Sequence, residues 1–356
     1  MLDFLRPAPP TFGHRVRAGA RLLSGMGRAR LRGRPFMLSH LVTSRCNACC
    51  PTCLWRDPDG RELAADDIRW LYHQAGAAGI VHLVMWGGEP LLRTDLPELL
   101  EAAQQAGLVV TLISNGHLLR QRWPEIRGRV DALIVSLDDA GTAHDRQRGL
   151  PGLFADLDDF VPGLRSDPLR PKLLVNTVLS RLNRGALRRV AEVARAWRVG
   201  LYFCPMETGR METGGFAESL GHLSLPLSEL REAARLARLL KRSGYPIMAT
   251  DAYLELLAAD PDLTAYTCRA PRAILTTEAD GSFRDCLRRD RSLATVPQMR
   301  AAGQTLDTLF ARPRYRAMLA EAEHCTACNN PDVIEISWLW DLELQMLERA
   351  VGLVVS

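Results

Sequence analysis

Six short apolar or β-branched stretches alternate with amphipathic ones, and this alternation leaves the chain few folds to choose from. The strand-like runs are 37–44, 80–86, 108–114, 130–137, 173–180 and 199–204. Helix-period patterns fill the gaps at 63–78, 94–106, 117–127, 151–164 and 183–197. In the last of these, Leu187, Val190, Ala191, Val193, Ala194 and Trp197 share one side. Strands apolar on both faces and separated by helices predict a parallel sheet with right-handed crossovers. Six such units fit an α/β fold of the partial (β/α)6 barrel kind better than a closed eightfold barrel.

No run approaches the 18 apolar residues that a membrane-spanning helix needs. The start is Arg-rich but has no apolar core or small-residue cleavage site, so no export is expected. Nine cysteines in a chain without an export signal point to metal binding or catalysis rather than disulfides. The net charge of +4 is uneven: residues 1–36 hold eight arginines against the single acid Asp3, so the remainder is net acidic. Nucleic acid is therefore not an expected partner. The expected location is the cytoplasm, and the basic, amphipathic stretch 15–32 offers a surface for peripheral contact with an anionic membrane. Pattern changes divide the chain into a basic arm (1–36), the barrel (37–205), a loop and linker helix (206–250), a Cys-bearing segment (251–330) and an apolar helix (331–356). The last is expected to pack in a core or a dimer contact, or to face lipid.

The first cysteine group reads Cys46-x3-Cys50-x2-Cys53 directly after the first strand. Three thiolates in one short loop suit one face of an iron–sulfur cubane and leave its fourth iron open. A structural zinc would want four ligands in paired spacing, and no second pair lies nearby. Cys49 falls off this spacing. Gly87-Gly88-Glu89-Pro90 closes the second strand, Ser114-Asn115-Gly116 the third and Ser136-Leu137-Asp138 the fourth. All lie at strand C-terminal ends, where barrel enzymes build their sites. Asn176 and Cys204, at the ends of the fifth and sixth strands, are softer candidates, as are Glu207, Arg210 and Glu212 in the loop that follows.

This combination resembles the radical S-adenosylmethionine (SAM) superfamily. The resemblance implies a partial (β/α)6 barrel and a [4Fe–4S] cluster held by Cys46, Cys50 and Cys53, with SAM chelated at the open iron. It also implies that Gly87, Gly88, Glu89, Ser114, Asn115, Ser136 and Asp138 contact SAM. Reductive cleavage would then give a 5′-deoxyadenosyl radical that abstracts hydrogen from substrate. One departure is Thr52, where the family often has an aromatic residue; Trp55 is the substitute for adenine-side packing.

Cys268, Cys286, Cys325 and Cys328 form a second set. The segment 273–283, with its Asp280-Gly281 turn, reads as a β-hairpin between Cys268 and Cys286. By geometry alone four thiolates there hold either zinc or a complete [4Fe–4S] cluster. Cys-x12-Gly-x4-Cys resembles the opening of the SPASM domain, and with no further cysteine after Cys328 it resembles the shortened twitch form, which implies one fully ligated auxiliary cluster. The expected reaction is net oxidation or bond formation on a small metabolite (sugar, cyclitol or lipid), with an electron donor of the flavodoxin or ferredoxin kind. Maturation of a ribosomal peptide is the alternative, although 36 residues are too few for a leader-binding winged helix. A non-catalytic iron–sulfur electron carrier is a distant third, since it would need neither Gly87–Pro90 nor an open iron.

Overall fold

A computed structural model describes residues 12–206, 220–259, 266–286, 291–325, 328–343 and 346. The strands β1 (Met37–Thr43), β2 (His82–Gly87), β3 (Val109–Ser114), β4 (Ala132–Ser136), β5 (Lys172–Leu179) and β6 (Gly200–Pro205) match the six sequence runs to within about two residues at either end. They pair in parallel in the order β6-β5-β4-β3-β2-β1, an open barrel sheet. Between them run α2 (Ala65–Ala77), α3 (Leu96–Gln105), α4 (Leu119–Ile126), α5 (Thr142–Arg148), α6 (Leu153–Phe160) and α7 (Ala186–Trp197), while α1 (Phe12–Arg32) precedes β1. The α7 stripe packs as its period requires. Leu187, Val190, Ala191, Ala194 and Trp197 are buried, and the Trp197 indole donates to Asp158 at 2.7 Å. Val193 is only half-buried at the edge of that stripe.

Two helices escape the periodicity. The stretch 140–164 was expected to hold one helix at 151–164 but holds two. Gly149 (φ +65°) ends α5 and Gly152 (φ +81°) begins α6, so the Gly-Leu-Pro-Gly turn separates them. After α8 (Leu227–Arg242), α9 (Asp251–Ala259) buries Tyr253, Leu254 and Leu257.

The hairpin is β7 (Ile274–Thr277) against β8 (Ser282–Arg284), with Gly281 at φ +84° in its turn. Its β7 strand pairs in parallel with β1, from Met37 opposite Ile274 to His40 opposite Thr277. With β9 (Ser292–Thr295) the result is one nine-stranded sheet, so the second cysteine segment grows out of the barrel's own β1 edge. The helix Pro331–Trp340 buries Val333, Ile334, Glu335, Ser337 and Trp340. Trp340 joins Met26, Ala29, Phe36, Val81 and Ala273 in a small core, and Arg30 of α1 donates to the Trp340 carbonyl at 2.7 Å. α1 and the Pro331–Trp340 helix thus pack on one another against the barrel floor. No described helix is long and apolar enough to cross a membrane.

Candidate active site

The loop after β1 is held by the end of β2. Gly88 N–H donates to Thr43 O at 2.7 Å and Glu89 N–H to Arg45 O at 2.8 Å. A Cβ on Gly87 would stand 2.3 Å from Thr43 O, and one on Gly88 2.2 Å from Arg45 O. Both glycines are therefore required by the close approach of the chain's own cysteine loop. Cys46, Cys50 and Cys53 line one cavity of about 740 Å³ together with Gly87, Gly88, Ser114, Asn115, Ser136 and Asp138. Each thiol meets a donor: Ala48 N–H reaches Cys46 Sγ at 3.3 Å, Trp55 N–H reaches Cys53 Sγ at 3.4 Å, and Arg148 Nη1 reaches Cys50 Sγ at 3.8 Å. Cys49 is exposed and does not line the cavity.

Burial pushes the Cys46 thiol up to about 11 and raises that of Cys50 despite Arg148 nearby. Such thiols become thiolates only against a strong positive charge such as bound iron. Among the described residues no three Cys, His, Asp or Glu side chains converge on one point as a single ion demands. A cubane takes each thiolate on a separate iron, so three thiols spread along one wall suit it.

Glu89 lies behind that wall. It is fully buried, and its carboxylate accepts from Leu91 N at 3.0 Å, Ser114 Oγ at 2.8 Å and Asn115 N at 2.7 Å. It ties the end of β2 to the end of β3 and so sets the rim, while Gly87 and Gly88 face the cavity. Asn115 Nδ2 donates to Asn47 at 2.8 Å and reaches Cys46 Sγ at 3.8 Å. Trp86, half-buried on β2, donates to Ser39 Oγ at 2.9 Å and meets Trp55 edge to face at 5.1 Å, so an aromatic pair lines the cavity beside Thr52.

Arg148 is the residue that sequence reading missed. From the end of α5 it pairs with Asp138 at 2.8 Å, and burial leaves its Nε without a partner on the cavity side of the fold. Asp138 Oδ1 also accepts from Val178 N at 3.0 Å, and its own N–H donates to His144 Nδ1 at 3.2 Å. A guanidinium beside the cluster thiols suits a carboxylate-bearing ligand. Its only sequence signal, a basic residue on a short charged helix, is lost in a chain with 45 Lys and Arg. On β5 and β6, Asn176 Nδ2 reaches Cys204 Sγ at 3.9 Å on the same cavity wall. Glu207, Arg210 and Glu212 lie outside the described residues.

The comparisons with known proteins agree with this geometry. Residues 41–161 match the radical SAM superfamily model. The chain carries a radical SAM domain. It is 30% identical over 216 residues to the PqqA peptide cyclase of Rhizobium meliloti, covering 56% of this chain and 53% of that one. It is 31% identical over 188 residues to the AdoMet-dependent heme synthase of Methanosarcina barkeri, covering 49% and 52%. The chain thus spans about half the length of these curated relatives. In fold it is similar to Streptococcus suis SuiB bound to S-adenosylmethionine, with TM-score 0.63, 16% identity, and 81% and 68% of the two chains covered.

Beside the radical SAM domain, three cysteines of the second set, Cys268, Cys325 and Cys328, lie near Tyr266. Cys268 and Cys328 are buried, and Cys328 N–H donates to the Tyr266 hydroxyl at 3.3 Å. Burial raises the Tyr266 phenol well above its ordinary range, and the nearby thiols of Cys328, Cys268 and Cys325 add to it. Directly after Cys328, Asn330, Asp332 and Glu335 reach the wall of the main cavity. Glu335 is buried and accepts from Thr250 N at 2.7 Å, a cavity contact that the apolar pattern of its helix concealed.

Three histidines, His40 and His144 buried and His82 half-buried on the cavity wall, favour the unfolded chain in acid. Burial, helped by Arg93, lowers His40 to about 3; burial alone lowers His82 to about 4; burial, helped by Arg148, lowers His144 to about 3. Unfolded histidines titrate near 6.5, so between there and about 4 the unfolded chain binds more protons and acid favours it. Glu89 runs the other way: burial raises it to about 7, so its contribution is present in acid and lost as pH rises from the ordinary carboxylate range through 7. Three groups outweigh one. The urea midpoint should fall as pH drops from 6.5 to 5, and His82→Gln should flatten that slope; a midpoint that rises instead would refute the assignment.

Proposed function

We propose that the protein is a radical SAM enzyme that binds its cluster through Cys46, Cys50 and Cys53 and modifies a peptide. The placement of those three thiols and the Gly87–Gly88 rim on one cavity carries the reading. When bound, the cluster and SAM supply the electron and the 5′-deoxyadenosyl radical that removes a hydrogen atom from substrate. The protein's own residues orient and enclose. Arg148, paired with Asp138, holds a positive charge for the SAM carboxylate beside Cys50. The Trp55–Trp86 pair packs against the nucleoside side. Glu89 keeps the Ser114–Asn115 turn in register with Gly87 and Gly88. Cys268, Cys286, Cys325 and Cys328 would hold an auxiliary [4Fe–4S] cluster next to the Asn330–Glu335 wall, with electrons supplied by a flavodoxin- or ferredoxin-type donor.

Relatives named peptide cyclase favour a peptide over the small-metabolite expectation. Anaerobically reconstituted protein with SAM and dithionite should form methionine and 5′-deoxyadenosine. A short peptide encoded beside the gene should raise that yield and change mass. Absence of 5′-deoxyadenosine removes the enzyme reading, and SAM cleavage without a mass change in such peptides removes the peptide reading alone.

A further inference from the structure

The cavity does not end at the cofactor end of the barrel. It continues down the interior past Ile134 to Ala132, the first residue of β4, and to Val109, the first residue of β3. From Ser136, at the cofactor level, to Ala132 is four residues of strand, or roughly 13 Å at the parallel-strand rise. Barrels of this type normally fill that space with layers of bulky side chains. Here the floor is instead made from outside the barrel. Leu22, Leu23 and Met26 of α1 and Ile336 and Leu339 of the C-terminal helix close it from below. These two helices are themselves fixed together by the Arg30–Trp340 hydrogen bond.

Two of the polar groups at this depth are paired inside the protein. His82 Nε2 bonds Thr111 Oγ1 at 2.9 Å, and Asp131 accepts from Val110 N at 2.8 Å. Arg170 and Lys172 also line the cavity at this level, at the start of β5. The whole cavity, about 740 Å³, lies in the upper half of the range for small-molecule sites, so one bound nucleotide-sized cofactor at the top leaves its lower part open to a second group.

We infer that this lower chamber receives a linear hydrocarbon chain of the substrate, about ten carbons long, whose attachment point lies at the level of Ser136 beside the cofactor. The chamber is deeper than any amino-acid side chain is long, and Leu22, Leu23, Met26, Ile336 and Leu339 in its floor offer an extended apolar group aliphatic contact. The inference rests on the cluster end being the SAM site. It does not rest on the substrate being a peptide, and a peptide would use the chamber only by carrying such a chain. The inner face of the arginine-rich α1 then serves as part of the chamber floor.

Saturated fatty acids of 8, 10, 12 and 14 carbons, titrated into the cluster-reconstituted protein, test this. Affinity should rise about three- to fourfold per added methylene and level off near the length of the chamber. Ala132→Phe on β4 and Met26→Trp on α1 fill the bottom of the chamber, one from its wall and one from its floor, and each should weaken the 12-carbon acid at least tenfold. Flat chain-length dependence, or unchanged affinity in both variants, overturns the proposal. Production of 5′-deoxyadenosine by the same wild-type preparation is the separate control. If it is present while the acids fail to bind, only the chamber falls; if it is absent, the radical SAM reading falls instead.

Discussion

Cys50→Ala will lower the 5′-deoxyadenosine yield of the reconstituted protein by more than about 100-fold, whereas Cys49→Ala will leave it within about twofold. The upper end of what an outer-shell partner contributes is about 100-fold, and a direct ligand must exceed it. The contrast between neighbours is what gives the experiment its force. Cys50 faces the cavity and has Arg148 Nη1 at 3.8 Å from its sulfur. Cys49 is exposed, and its backbone N–H is pinned to Arg148 O at 2.9 Å, which holds its side chain away from the cavity. It therefore cannot take its neighbour's place without breaking that bond. Iron and sulfide per chain, measured with the second cysteine set intact, should fall for Cys50→Ala only. Equal loss in both variants would show that the loop's general integrity, and not its spacing, is at stake.

Arg148→Leu will destabilise the protein by about 3–5 kcal/mol, because it leaves the Asp138 carboxylate buried without its partner. The two side chains are 13% and 6% exposed and 2.8 Å apart, so solvent can screen the orphaned charge only slightly. Adding Asp138→Asn to Arg148→Leu should recover much of that loss, a coupling that urea denaturation of the four proteins measures directly. Recovery of stability should not bring recovery of function. The double variant still lacks the donor to Cys50 and the charge facing the cavity, so SAM cleavage should stay about 10–100-fold down. If Arg148→Leu alone costs less than about 1 kcal/mol, the pair is not the fastening that its burial implies.

These two residues show where reading a chain stops. Cys46, Cys50 and Cys53 are close in sequence, so their spacing alone predicts one shared loop, and the structure puts all three on one cavity. Arg148 reaches the same site because α5, a helix the sequence pattern did not reveal, ends at the Gly149–Gly152 turn beside the cysteine loop. Glu89 shows a subtler difference. It was expected to contact SAM; in the structure its carboxylate accepts from Leu91, Ser114 and Asn115 behind the cavity wall, and the neighbouring Gly87 and Gly88 line the cavity.

Local patterns were enough for the six parallel strands, the α7 stripe, the β7–β8 hairpin and the three-thiol loop, because each is dictated by neighbours within a few positions: period, turn chemistry and ligand spacing. Contacts between distant segments were not. The pairing of β7 with β1, the closure of the barrel floor by α1 and the C-terminal helix, and the Arg148–Asp138 pair all join segments whose partners local sequence does not name. Burial made those choices: apolar faces and charges left over from local structure had to find each other across the fold, and only the packed chain shows which ones did.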